Sequence, residues 1–206
     1  VAAYDEAREL LERVAAVWPN RADVTSELAS ILLNSTSAYV NEGRNDDAEK
    51  AALRSIELLK PLVRDYPRTQ QYRMDLANAY MSYSVVLERT DRQSKIGDTY
   101  RAAKDLYLAL AAEDPANQVV QSGLAKAWNN LSNGLLDAGD SQGALDAGRE
   151  AVTILRSQWS ADPTNVDLEN SLGGALHGIA IAMKNLGDRK GAKEQRFRKE
   201  SHLRRK

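Results

Sequence analysis

Apolar residues recur along this chain with the spacing of α-helices. In one stretch Val120, Leu124, Trp128, Leu131 and Leu135 step by 4, 4, 3 and 4 residues, which places them on one side of a helix and predicts that they form a core. The same pattern returns at intervals of 48 residues, with Ser35 as its one polar member. The equivalent positions are Val24, Leu28, Leu32, Ser35 and Tyr39; Tyr72, Leu76, Tyr80, Tyr83 and Leu87; and Leu168, Leu172, Leu176, Ile179 and Met183.

Turn-forming residues share this period and divide the chain into units. Prolines stand at positions 19, 67, 115 and 163, and the sequence Gly43, Asp91, Gly139, Gly187 follows each first helix. Glycine closes the last turn of a helix and proline stops one, so each unit holds two helices. We predict a single domain over 1–206, with a half repeat (second helix only) at 1–20 and repeats at 21–68, 69–116, 117–164 and 165–206. The predicted helices span 2–17, 21–42, 45–65, 69–89, 92–113, 117–137, 141–161, 165–186 and 189–205.

The third unit carries a resemblance to a known family. Its residues Trp128, Leu131, Ser132, Leu135, Gly139, Ala144, Ala151 and Pro163 match the pattern of the tetratricopeptide repeat (TPR) family. The resemblance implies an all-α, right-handed superhelical solenoid of antiparallel helix pairs, with about nine helices here. Gly148 departs from the motif where a bulky residue belongs, which predicts a locally thin core. The family repeat has about 34 residues, so this one resembles a long variant with about seven extra residues, nearly two turns, in each helix.

Composition and charge exclude several classes of protein. The chain has no cysteine, which rules out disulfides and thiolate sites, and it has no apolar run long enough to span a membrane. Its start is amphipathic, lacks a signal peptide and lacks Met; this suggests a fragment of a longer protein, and a cytoplasmic location. The net charge of −1 divides into about −8 for the body and +7 for 184–206.

Reactive side chains are scarce. His177 and His202 lie without the further ligands that a zinc site needs, and phosphate-binding glycine loops and nucleophile motifs are missing. We therefore expect no enzyme activity, no catalytic residues, no metal and no cofactor.

The same resemblance implies a peptide groove lined by the first helices. Positions beside the core stripe are expected to face it, and the Asn129–Asn133 pair has both donors and acceptors for a peptide backbone. The carboxylate clamp of some relatives fits only at this pair, so binding of chaperone tails is not expected. The candidate groove residues are Met81, Val85, Arg89, Lys126, Asn129, Asn133, His177 and Ile181.

Three functions remain open at this point. The first is a non-catalytic scaffold that binds a peptide or partner protein, and the second is a regulatory or oligomerisation module of a larger bacterial signalling protein such as a kinase. Homo-oligomers through the terminal helices fit either one. The third, which we favour least, is binding of nucleic acid or an acidic partner through a basic C-terminal patch, whose alternative role is to cap the stack. This patch comprises Arg196, Arg198, Lys199, Arg204, Arg205 and Lys206.

Overall fold

The described part of the chain, residues 1–90, 95–188 and 191, is all-helical in a computed structural model. Its first helices begin at Ala22, Gln70, Gln118 and Val166, so they recur every 48 residues. The ninth predicted helix and the turn at Asp91 lie outside the described residues, apart from residue 191. The eight helices are α1 (Ala2–Val17), α2 (Ala22–Asn41), α3 (Asn45–Asp65), α4 (Gln70–Arg89), α5 (Ile96–Glu113), α6 (Gln118–Asp137), α7 (Ser141–Ala161) and α8 (Val166–Asn185).

The helices fall into two compact units, one up to Leu110 and one from Ala111 onward. In the first unit α1 packs on α2, α2 on α3 and α3 on α4; in the second unit α6 packs on α7 and α7 on α8. The prediction that 1–206 form one domain stays a prediction.

Antiparallel pairing within a pair is visible in two hydrogen bonds between α6 and α7. The Ser132 hydroxyl donates to the Ala144 carbonyl at 2.7 Å, and the Gln158 side chain donates to the Ser122 hydroxyl at 2.9 Å. The end of α6 therefore contacts the start of α7, and the start of α6 contacts the end of α7. Helix α5 is tied to α4 by equivalent contacts, in which the Tyr107 hydroxyl donates to Asn78 at 2.7 Å and Ser84 bonds Thr99.

Three glycines close first helices as the pattern predicts. Gly43, Gly139 and Gly187 have φ angles of 74°, 82° and 85°, in the left-handed region that glycine enters without strain. After Gly139, the Asp140 N–H donates to the Leu135 carbonyl at 2.9 Å.

The turns around the later prolines start the next helix. Asn117 accepts hydrogen bonds from the backbone N–H groups of Val119 and Val120, and Asn165 caps α8 in the same way. The equivalent residues of α2 and α4 make no side-chain cap bond. The spacing of the prolines predicted where these turns lie. The side-chain cap forms only where an asparagine occupies the position before the helix.

Removing one of these caps has a measurable cost. We expect Asn117→Ala to lower the free energy of unfolding by about 1 kcal/mol, because two N–H groups of the first turn lose their acceptor. Thr69→Ala, at the uncapped equivalent of α4, is the matched control and should change it by less than about 0.5 kcal/mol. Urea denaturation followed by circular dichroism compares the two, and equal losses would contradict the assignment.

The predicted core stripe is largely buried, although several of its members are half-buried. Leu32 and Leu176 are 2% and 1% exposed, but Tyr80 and Trp128 in the same column are only half-buried, as is common for large aromatic side chains. Ser35, which breaks the apolar pattern, is fully buried and donates to the Leu32 carbonyl at 2.9 Å.

Gly148 also corrects an expectation. The core there is not thin: a Cβ on Gly148 would lie 2.8 Å from Ile179 Cγ1 and 3.2 Å from the Ser132 hydroxyl. Ile179 belongs to α8, so the next repeat fills the space that the family motif assigns to a bulky residue of α7.

Candidate functional site

A cleft of about 560 Å³ lies in the second unit, among α6, α7 and α8. Its walls come from the early and middle parts of α6 and the first half of α8, and its floor from the second half of α7. This arrangement follows from the antiparallel pairing, since the end of α7 lies beside the start of α6. The lining residues are Ser122, Ala125, Lys126, Asn129, Asn130, Leu155, Gln158, Asn165, Asp167, Leu168, Asn170, Ser171 and Gly174.

Seven of the thirteen lining residues carry a side-chain amide or hydroxyl. Asn129, Asn130 and Asn170 offer donors and acceptors at once, which is the chemistry that a peptide backbone requires. Lys126 and Asp167 place one charge of each sign at the cleft, and Lys126 is exposed. The cleft can therefore bind polar, extended groups.

Gln158 stands at the floor of the cleft and is 8% exposed. Its amide nitrogen bonds Ser122, while no donor of the described residues reaches its buried Oε1. Such an unsatisfied acceptor costs stability, on the order of 1–3 kcal/mol. Leu62 and Leu110 hold the same position in earlier repeats and are buried at 6% and 0% exposure, so Gln158 is a polar exception in an apolar column.

A smaller pocket of about 180 Å³ lies in the first unit between α2 and α4. Val85 and Arg89 line it together with Thr36, Ser37, Val40, Asn41 and Ser82. Val85 is 37% exposed, so this pocket combines apolar surface with an exposed guanidinium.

The candidate groove residues lie partly in the cleft, partly in the small pocket and partly outside both. Lys126 and Asn129 line the cleft, and Val85 and Arg89 line the small pocket. Met81 lies half-buried on α4, in neither lining. In the second unit the candidates outside the cleft lining are Asn133, His177 and Ile181, all of them exposed.

Asn133 and Asn129 lie in different surroundings, although they are one turn apart on α6. A Cβ built on Gly178 of α8 would lie 3.5 Å from the Asn133 Oδ1, so this amide stands against the backbone of the neighbouring helix. The sequence placed Asn129 and Asn133 together in one groove, whereas the cleft lining holds Asn129 without Asn133. The lining also holds Gln158, Asn130 and Asn170, which the sequence analysis did not select. The polar exception in the column of Leu62 and Leu110 is a signal that could have identified Gln158. The role of these residues in binding stays a prediction.

Two other features complete the survey of candidate chemistry. Within 1–90, 95–188 and 191, no group of three or more His, Asp or Glu side chains is placed to hold a metal ion. The six residues of the basic C-terminal patch lie outside the described residues.

No helix in the described part of the chain has the length and apolar character that crossing a membrane requires.

Comparison with known proteins shows the fold. No protein-family model and no curated protein sequence matches this chain. Among solved structures, MamA is 17% identical with a TM-score of 0.60 and covers 98% of this chain and 90% of its own. BtubC (BKLC) from P. vanneervenii is 15% identical with a TM-score of 0.54, covering 98% and 89%. A protein of Podosopora anserina, described as a kinesin light chain with nearly identical TPR-like repeats, is 20% identical with a TM-score of 0.54, covering 97% and 86%.

These similarities confirm the predicted fold class. The chain is a TPR-like helical repeat, built from antiparallel helix pairs with no strand among its described residues.

Proposed function

We propose that this TPR-like chain is a non-catalytic scaffold that binds an extended peptide of a partner protein in the cleft of α6, α7 and α8. The observation that carries the proposal is the lining of that cleft, which holds four asparagines, two serines and Lys126. These groups can pair with successive backbone N–H and C=O groups, whatever the peptide's side chains are. We infer that one carboxylate of the peptide lies beside Lys126.

The size of the cleft supports a peptide segment as its ligand. At about 560 Å³ it falls within the range of pockets that enclose small ligands, roughly 300–1,000 Å³. Similarity to a helical protein with TPR-like repeats supports the scaffold class.

The cleft lining also supports binding in preference to catalysis. Asp167 is its one carboxylate, and it contains no histidine. General acid–base or nucleophilic chemistry needs a nucleophile or a second titratable group within hydrogen-bond reach. The regulatory module of a signalling protein, a cytoplasmic location and a role for the basic patch stay predictions from the sequence.

Panning a library of random peptides on the protein provides a defined ligand for the test. We expect the selected peptides to be enriched in an acidic residue, and Lys126→Ala/Asn129→Ala to weaken their binding about tenfold or more, equivalent to ~1.4 kcal/mol. Fluorescence anisotropy with labelled peptide measures this. The two side chains are exposed or half-buried, so the variant is expected to fold.

Asn133→Ala is the matched control, because it removes an amide one turn further along α6 but outside the cleft lining. Binding equal to that of the unmodified protein is expected. Peptides that bind the Lys126→Ala/Asn129→Ala variant as tightly as the unmodified protein would refute the cleft as the binding site.

A further inference from the structure

Helix α1 carries an apolar stripe that the described residues leave largely exposed. Leu10, Val14 and Val17 are 49%, 41% and 68% exposed, and Ala3 is exposed as well. With the half-buried Ala7 they step by 4, 3, 4 and 3 residues, which places all five on one side of the helix. We refer to Ala3, Ala7, Leu10, Val14 and Val17 as the α1 seam.

The internal repeat shows what such a stripe packs against. In α3 the positions 48 residues after Ala3, Ala7 and Val14 are Ala51, Ser55 and Leu62, which are 4%, 0% and 6% exposed. The positions after Leu10 and Val17 are the half-buried Leu58 and the exposed Asp65. The Ser55 hydroxyl donates to the Ala29 carbonyl of α2, the first helix of the same pair, at 3.0 Å.

The second unit repeats this arrangement independently. In α7 the equivalents of Ala7 and Val14 are Ala151 and Gln158, which are 0% and 8% exposed. Gln158 bonds Ser122 of α6, again the first helix of the same pair. The part of the seam from Ala7 to Val14 thus corresponds to the side that α3 and α7 turn toward their own first helices, whereas the positions equivalent to Val17 are exposed in every repeat.

Helix α1 is held on α2 by its other side. The Tyr39 hydroxyl of α2 donates to Asp5, which holds the pKa of Asp5 below its ordinary value with help from Arg44. The Arg44 guanidinium lies 3.6 Å from the second Asp5 oxygen and 4.5 Å from the Tyr39 ring centre. These contacts leave the seam free.

We infer that the α1 seam docks an amphipathic partner helix of the first-helix type, lying antiparallel to α1. Its apolar residues are expected to follow the 4, 4, 3, 4 spacing of α2, α4, α6 and α8. Ala7 stands where Ser55, Ala103 and Ala151 are each 0% exposed, and these small residues let two helices approach closely. The partner helix covers Leu10 and Val14 as α2 covers the equivalent part of α3. This surface is separate from the cleft of the second unit.

A chimera of the full chain tests the inference. Residues 117–145, which hold α6, its turn and the start of α7, are placed before Ala2, so that residue 145 replaces Val1. The 48-residue period stays in register, because 145 and 1 differ by three periods. We expect backbone amides of α1 to exchange with solvent about tenfold more slowly, or slower still, than in the unmodified chain, and the thermal midpoint to rise.

Two variants of the chimera keep the test specific. Leu10→Asp/Val14→Asp is expected to abolish the protection of α1, since it puts two charges into the seam. Ala16→Asp adds a charge to the same helix at an exposed position outside the seam, and it is expected to retain the protection. Unchanged exchange in the chimera, or equal loss in both variants, would overturn the proposal.

Light scattering on the unmodified chain separates this partner from a second copy. We expect a monomer at micromolar concentration. A dimer that Leu10→Asp/Val14→Asp dissociates would assign the seam to a copy of this chain and overturn the partner helix proposed here.

Discussion

Replacing Leu176 with alanine is expected to lower the free energy of unfolding by about 3–4 kcal/mol. Leu176 lies in the middle of α8 and is 1% exposed. Its truncation removes three methyl or methine carbons from a close-packed interior, which relaxes only in part and leaves a cavity. Urea denaturation followed by far-ultraviolet circular dichroism measures the loss.

Two comparisons make this prediction specific. Ile181→Ala removes a similar side chain from the same helix, but Ile181 is 38% exposed, so a loss below about 1.5 kcal/mol is expected. Trp128→Ala, in the same column as Leu176, should cost less than a buried tryptophan's roughly 3–5 kcal/mol, since Trp128 is half-buried. A Leu176 variant as stable as the Ile181 variant would show that the helix register is wrong.

Alanine substitutions at Gly148 and Gly174 are expected to act in opposite directions. Both residues lie inside helices, where alanine is preferred over glycine by about 1 kcal/mol. A Cβ on Gly174 would meet no atom within 4 Å, so Gly174→Ala should stabilise the protein by about 0.5–1 kcal/mol. On Gly148 the Cβ would lie 2.8 Å from Ile179 Cγ1, and we expect overpacking to destabilise the protein by about 1–3 kcal/mol.

A double-mutant cycle identifies the cause of the Gly148 effect. Ile179→Ala removes the atom that the new Cβ would strike, so Gly148→Ala should cost less in that background, with a coupling energy of about 1 kcal/mol or more. Additive losses would mean that Ile179 is not the obstacle. Stabilisation by Gly148→Ala in the unmodified protein would contradict the close approach of α7 and α8.

The bounds of the helices were accessible to sequence reasoning. Seven of the predicted helices agree with the observed ones to within one residue at each end, and α5 agrees at its end, Glu113. The predicted start of α5 at 92 lies outside the described residues. Local chemistry sets these ends: Gly139 has the positive φ that closes α6, and Asn117 supplies the cap that starts it. Helix ends of this kind depend on residues that are neighbours along the chain, so they can be predicted without a structure.

The cleft was only partly accessible. Lys126 and Asn129 were selected from the first helices, but Asn170 and Gln158 were not, because the cleft joins α6 to the end of α7 and the start of α8. The surroundings of Asn133 depend on how closely α8 approaches α6 at Gly178. These relationships come from helix crossings between side chains far apart in sequence.

The repeat, its helices and the sides that form the core could be predicted from the sequence, since a period of 48 residues and helical spacing are properties of the chain. Three features could be found only in the folded protein: Ile179 of the next repeat fills the space at Gly148, Trp128 is half-buried, and the α1 seam is largely exposed. These features depend on contacts between helices, because a side chain is buried only when a second surface packs against it. A stripe of apolar residues shows which side of a helix packs against another surface. Only the folded structure shows which atoms of that surface contact the stripe.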